Sequence, residues 1–374
     1  MNKRILFVAT TICVGASLWA QRNPYNNPVV SPKIAEDGRQ VTFSVEAPHA
    51  KEVLLEGQFM KGTRPMTRQE GGVWSATVQI EQPDIYPYSF IVDGTKISDP
   101  SNVVVFPNER FKASLLEMPG KEALYTVRDV PHGKVSYHTY KSSVLGMDRP
   151  LLVYTPAGYE KGDKHYPVFY LISGTTDTEE TWFKVGRANV ILDNLIAEGK
   201  AKEMVVVMPY GNMMNGTPMP SSMEAAKMYT VFANELTQCI MPYVEQNYRV
   251  KNDRHDRAIA GFSRGGGQAL FTALRHLDLF GNLASYSAYL TPQVMDAYFA
   301  PLFAADAVPL HRRLDFLWFG VGNEDFLYQD VLRHFDYFDK KGIVYEKLIT
   351  GGGHTWMNAR HYLAETLQRF FNAK

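Results

Sequence analysis

Cysteine is nearly missing from this 374-residue chain, which has only Cys13 and Cys239. That excludes a disulfide framework as the source of stability, and a cysteine-built metal site with it. Net charge is missing too, since 39 Lys and Arg stand against 39 Asp and Glu. With no basic run to neutralise phosphates, nucleic acid is disfavoured as a partner. After the first twenty residues no apolar stretch approaches the roughly 18 residues that would cross a bilayer. Repeats and low-complexity tracts are absent, and 21% charged with 13% aromatic residues excludes disorder. At roughly 150 residues per domain, two folded domains remain.

The first residues point to a compartment. Met1-Asn2-Lys3-Arg4 is a short basic start, and no further charge occurs before Arg22. Between them an apolar run from Ile5 ends at the small residue Ala20, the pattern of a secretory signal peptide over 1–20. At about 17 residues that run is short for a membrane anchor. Cys13 lies in mid-run after Thr11-Ile12, a poor lipidation context. The expected location is secreted or periplasmic. Cleavage leaves Cys239 alone, on a helical stripe with Phe232, Leu236, Ile240 and Tyr243, so it reads as a buried core thiol.

Residues 28–115 show short strands with turn punctuation. Val41-Thr42-Phe43-Ser44-Val45-Glu46 alternates with period two, Val53-Leu54-Leu55 precedes Gly57, and Val73 to Val78 forms a third run. Tyr86 to Val92 runs directly into Asp93-Gly94, a hairpin signal. Strands at this spacing without helices predict a small immunoglobulin-like β-sandwich. A linker over 116–130 contains Pro119-Gly120.

From 131 to 374 the rhythm changes. Apolar runs at 151–154, 168–172, 204–208, 258–260, 283–286, 316–319 and 345–349 alternate with helical patterns, notably 190–197 and 228–248. Such βαβ units predict a mostly parallel sheet covered by helices on both faces. Leu363, Leu367, Phe370 and Phe371 mark an amphipathic closing helix.

Chemistry-bearing residues cluster at strand ends. Gly261-Phe262-Ser263-Arg264-Gly265 follows the strand Ala258-Ile259-Ala260 and opens a helix, the strand–turn–helix context of a nucleophile elbow. Ser263 would project above the sheet, and the Arg264 N–H would point where an oxyanion forms. A serine hydroxyl is a weak nucleophile until a base takes its proton. Of ten histidines, only His354 follows a glycine run (Gly351-Gly352-Gly353) between the last strand and the final helix. His276, His334 and His361 lie in polar-looking helical contexts, and His49 belongs to the sandwich. The acid that orients the histidine is expected after the preceding strand, where Glu324 and Asp325 compete. Asp325 is preferred because Asn323-Glu324 forms a turn that presents it, leaving Glu324 solvated. The loop Ser173-Gly174-Thr175-Thr176-Asp177 should supply a second oxyanion donor, assigned to Thr175 N–H. Trp182, Tyr210 and Trp356 are candidates for an acyl or sugar platform, with core packing an equal alternative. No H-E-x-x-H or Cys/His cluster calls for a metal, and no cofactor is expected.

Two resemblances sharpen this reading. The first domain resembles the early-set modules of glycogen-branching and debranching enzymes. The matching residues are Val41-Thr42-Phe43 with Ala47-Pro48, Pro65-Met66, Gly72-Val73-Trp74, Tyr86-Pro87-Tyr88 with Phe90, Asp93-Gly94 and Asp99-Pro100. Sugar-binding members usually carry a Trp in the loop where this chain has Gln58-Phe59-Met60-Lys61-Gly62, and Trp74 matches a core position. A spacer or dimerisation role, with a homodimer left open, therefore stands beside glycan binding.

The second domain resembles carbohydrate esterase family 1, the feruloyl and acetylxylan esterases. The match rests on Val130-Pro131-His132-Gly133, Val153-Tyr154-Thr155-Pro156 with Gly158-Tyr159, Tyr166-Pro167-Val168 and Gly186-Arg187-Ala188-Asn189 with Leu192 to Ile196. The Ser263 elbow, the Gly322-to-Asp325 turn and the Gly351–His354 run with Trp356 complete it. The resemblance implies an α/β-hydrolase with Ser263 as nucleophile, His354 as base and Asp325 as acid. It also implies action on esters of plant cell-wall polysaccharide, feruloyl first. Acetylxylan, and siderophore or other small esters, are the alternatives; a glycan-binding protein with a hydrolase-like body is the non-enzymatic one. Members usually carry His-Gly where this chain has Ser173-Gly174. The backbone donor survives that change, but the histidine's support of the loop does not.

Overall fold

The computed structural model describes residues 29–120, 123–213, 222–304 and 306–372. The expected leader and Cys13 lie outside these residues. The N-terminal unit is a two-sheet sandwich. One sheet runs Lys33–Ile34, Gln40–Glu46, Val73–Gln79, Thr67–Arg68; the other runs Thr63–Pro65, Val53–Gly57, Ile85–Val92, Thr95–Ile97. Alternation decides which side chains face inward: Val41, Phe43 and Val45 are buried while Gln40 and Glu46 are exposed. Phe43 meets Tyr88 across the sheets, their ring centroids 4.8 Å apart. Asp93 and Gly94 both take positive φ, 46° and 83°, as a two-residue hairpin between right-twisted strands requires. Trp74 is buried, its Nε1 donating to the Ala47 carbonyl at 3.0 Å.

The sandwich runs further than the sequence pattern suggests. Ser114–Glu117 is a strand paired antiparallel with Ile85–Val92, so the expected linker start at 116 falls inside the sheet. Only four residues long and bounded by irregular chain, it carries too little periodicity to be read as a strand.

The second unit holds an eight-stranded sheet in the spatial order Lys134–Ser142, Met147–Thr155, Val205–Pro209, Val168–Ile172, Arg257–Phe262, Asn282–Tyr286, Phe316–Gly322, Glu346–Thr350. The first two strands are antiparallel to their neighbours and the rest are parallel. Strands buried on both faces read as unbroken apolar runs, but alternate side chains still serve opposite cores. In Val168–Ile172, Val168, Tyr170 and Ile172 pack with the Ser222–Glu235 and Arg264–Arg275 helices on one face. Phe169 and Leu171 pack with Ala188–Ala197 and Trp356–Leu367 on the other. Cys239 is buried in the first of these cores.

The two units share apolar packing. Ile85, Phe106 and Leu115 of the N-terminal unit belong to the core that contains Trp182 and Trp356. Arg360, buried at this junction, donates Nη1 to the Val185 carbonyl at 2.7 Å and reaches Asp84 and the Ile85 carbonyl with Nη2. Among the described residues no helix is long and apolar enough to cross a membrane.

Candidate active site

The elbow is built by crowding. A Cβ on Gly261 would lie 2.4 Å from the Gly265 carbonyl, and one on Gly265 would lie 2.3 Å from the Ile172 carbonyl. Only glycine lets the Arg257–Phe262 strand, its neighbour Val168–Ile172 and the Arg264–Arg275 helix approach so closely. Between them Ser263 takes φ 56° and ψ −123°, a backbone state that L-residues hold only under constraint from their surroundings. Its N–H donates to the Tyr286 carbonyl at 2.8 Å. The Arg264 N–H opens the helix, where no intrahelical acceptor exists.

His354 stands on the loop after Glu346–Thr350, its Nδ1 2.9 and 3.0 Å from the two Asp325 carboxylate oxygens. Phe262, next to Ser263 in sequence, stacks on the His354 ring at 4.6 Å and so brings the imidazole beside the elbow. Asp325 is buried, and burial by itself would raise its carboxyl. The His354 hydrogen bond and the Leu327 N–H at 2.8 Å outweigh that and hold it below its ordinary value. Glu324 is exposed. The structure thus separates two neighbouring carboxylates by environment: one is presented to His354, the other to solvent.

Gly174 passes directly over the elbow; a Cβ there would come within 3.5 Å of the Ser263 Cβ. Its N–H donates to Asp177 Oδ2 at 2.9 Å, and Ser173 Oγ donates to the Thr178 carbonyl at 2.9 Å. Thr175 is exposed on this loop, and Thr176 takes φ 63°. Burial pushes the Asp177 carboxyl up to about 7, although Arg264 and the Gly174 N–H pull it down. The Arg264 guanidinium is buried and lowered from its ordinary value by that burial, against the opposing charges of Asp177 and Glu109. Neither Asp177 nor Glu109 stood out in the sequence, because their meeting with Arg264 joins three distant segments.

Beside Ser263 lies a pocket of about 210 Å³ lined by Ala225, Tyr229, Tyr289, Leu290, Val294 and Leu327. It is smaller than the roughly 300–1,000 Å³ of drug-sized ligand sites, and its mostly apolar wall also includes Ser263, Arg264 and Thr291. The expected aromatic platform needs correction. Trp182 is fully buried with Nε1 bonded to the Ile172 carbonyl at 2.9 Å, and Trp356 is buried against it, ring centroids 4.7 Å apart. Both are core residues, unavailable to a ligand. Tyr210 is half-buried, with Arg149 over its ring at 4.5 Å and its hydroxyl on Glu109 at 2.8 Å. The exposed aromatic at the site is Phe326, 4.5 Å from the His354 ring and 74% exposed. His334, read as polar-looking, is instead buried among Phe319 and Phe338.

Known proteins resemble this chain in both of its units. The Carbohydrate-binding module 48 (Isoamylase N-terminal domain) family model matches residues 30–108. An endo-1,4-beta-xylanase/feruloyl esterase of Xylanibacter ruminicola is 32% identical over 286 residues, 73% of this chain. The chain spans 39% of that relative's length. A solved ferulic acid esterase is similar at 27% identity and TM-score 0.54, covering 63% of this chain and 97% of its own. The enterobactin esterase of Shigella flexneri shares the fold over 89% of this chain and 93% of its own, at 18% identity and TM-score 0.64. The Esterase ("Putative esterase") family model matches residues 142–368, from the end of the first strand of the large sheet to the closing helix, and takes in Ser263, Asp325 and His354. On that match, over more than half its length, the chain belongs to this esterase family.

Proposed function

We propose that the chain is a secreted serine esterase that removes feruloyl or related hydroxycinnamoyl groups from plant cell-wall polysaccharide. In this reading Ser263 attacks the ester carbonyl while His354 takes its proton and later returns it to the leaving sugar alkoxide. Asp325 holds the Nδ1–H of His354 and stabilises the imidazolium. The N–H groups of Arg264 and Thr175 receive the oxyanion, each worth about 3 kcal/mol in comparable sites. Water then repeats the sequence on the acyl-enzyme. No metal or cofactor enters the scheme.

The observation that carries the acyl choice is the mostly apolar pocket beside Ser263, walled by Tyr229, Tyr289, Leu290 and Val294 with Arg264 and Thr291. An acetyl group would leave most of it unfilled, whereas an aromatic acid buries its ring there. The Xylanibacter relative, named for feruloyl esterase and xylanase together, supports the same substrate class. Side-by-side rates on methyl ferulate and acetylated xylan test the reading. Faster turnover of acetylated xylan would make the chain an acetylxylan esterase, and hydrolysis of neither would exclude both.

A further inference from the structure

The loop over the elbow contains Thr176 in a left-handed conformation that costs a non-glycine residue free energy. Its hold comes from outside the hydrolase domain. Residues 98–113 leave the sandwich after Thr95–Ile97, return to it at Ser114–Glu117, and on the way cross the esterase. Both polar groups of Thr176 that can accept are used by this strap: its carbonyl receives the Glu109 N–H at 2.8 Å, and its Oγ1 receives Asn108 Nδ2 at 3.0 Å. The Pro107 carbonyl accepts Thr181 Oγ1 at 2.9 Å, and Phe106 packs edge-on against Trp356. Glu109 Oε1 also accepts the Tyr210 hydroxyl and Asn212 Nδ2, both at 2.8 Å. The backbone of that second loop is held from the other side, the carbonyls of residues 210 and 212 receiving Arg149 Nη2 at 2.7 Å each.

We infer that the strap of the N-terminal module is part of the catalytic apparatus, with Glu109 a positioning residue that fixes the oxyanion loop 173–178 for the reaction proposed at Ser263. The module is then more than a tether or a sugar-binding appendage. Glu109 lies between the segments matched by the two family models, so neither match assigns it a part. An oxyanion donor acts on the transition state and much less on the bound ester, so loosening the loop should lower kcat and leave KM nearly unchanged.

The test uses the full chain, with kinetics on methyl ferulate and amide hydrogen exchange of the 173–178 segment followed by mass spectrometry. Glu109→Ala should lower kcat about tenfold or more, keep KM within about twofold, and speed exchange at 173–178. Glu109→Gln should recover most of the rate, because both side-chain bonds converge on one oxygen that an amide carbonyl can replace. Asn108→Ala, which removes the contact to Thr176 Oγ1 and the Arg110 N–H bond within the strap, should lower kcat more mildly in the same pattern and covers the case of a misfolded Glu109→Ala. Arg187→Ala breaks the ion pair to Glu117 at the same junction and should change neither readout. Unaltered exchange at 173–178 in Glu109→Ala or Asn108→Ala would overturn the inference. So would an unaltered kcat, or a loss that Arg187→Ala reproduces. If the wild-type chain hydrolysed no ester, the esterase reading would fail, while the exchange data would still decide whether the strap holds the loop.

Discussion

Phe326 lays its ring 4.5 Å from the imidazole of His354 while remaining 74% exposed. A large aromatic left open to water beside the half-buried His354 and its buried partner Asp325 offers a stacking face to whatever leaves the ester. Phe326→Ala should raise KM for a feruloylated arabinoxylan oligosaccharide by about 3- to 10-fold, the range of one lost aromatic contact. Methyl ferulate, with no sugar to stack, should be affected far less. Equal effects on both esters would assign Phe326 to the support of His354 instead.

The elbow and the paired carboxylates make a sharper prediction. Ser263→Ala deletes one hydroxyl from a partly exposed turn and should leave thermal unfolding nearly unchanged, yet reduce turnover by roughly 10⁶. Asp325→Asn should cost on the order of 10⁴ by disturbing the histidine tautomer, whereas Glu324→Gln should be nearly silent. Retention of a tenth of wild-type activity in Ser263→Ala would remove it as nucleophile, and a reversed carboxylate ranking would move the acid to Glu324.

Two buried groups should tilt the pH dependence of stability in opposite directions. Burial lowers His334 from 6.5 to about 4, although its Nδ1 lies 3.0 Å from the Leu290 carbonyl. The unfolded chain therefore binds the extra proton first, and stability is full above pH 6.5 and lost as pH falls toward 4, by about 3 kcal/mol. Asp177 is raised from 3.8 to about 7, so the folded chain keeps its proton longer and stability is lost as pH rises through that window. Urea unfolding from pH 4 to 8 checks both signs. Relative to His334→Gln the wild type should weaken toward acid, and relative to Asp177→Asn it should weaken toward neutrality. Curves that run parallel to wild type would show that neither group titrates as described.

The sandwich module exposes little aromatic surface. Trp74 is buried, and Phe59, in the loop where sugar-binding relatives carry Trp, stacks on Phe43 at 5.3 Å. Sugar rings bind protein largely by stacking on an open aromatic face, so the isolated module should migrate unretarded in affinity electrophoresis through soluble xylan or starch. Clear retardation on either gel would restore a glycan-binding role.

Several features were legible in the chain because local sterics or short-range periodicity dictate them. Gly261 and Gly265 announce a close approach that no larger residue survives, and the elbow follows from it. Apolar runs such as Val168–Ile172 and Phe316–Gly322 mark strands covered on both faces, and the glycines before His354 mark a loop at a strand end. What the sequence could not decide was which side chain meets which across distance. Trp182, Trp356 and Phe326 are equally apolar on paper, but helix Trp356–Leu367 and the N-terminal unit cover the first two and nothing described covers the third. His334 looked polar because Arg333 and Asp336 lie close to it in the chain; its neighbours in space are Phe319 and Phe338. Glu109 carried no local signal at all, since its role exists only once a strap from one unit has crossed the elbow of the other. Chain geometry over a few residues fixes turns and strands, whereas burial, stacking and charge pairing depend on surfaces that only the folded chain brings together.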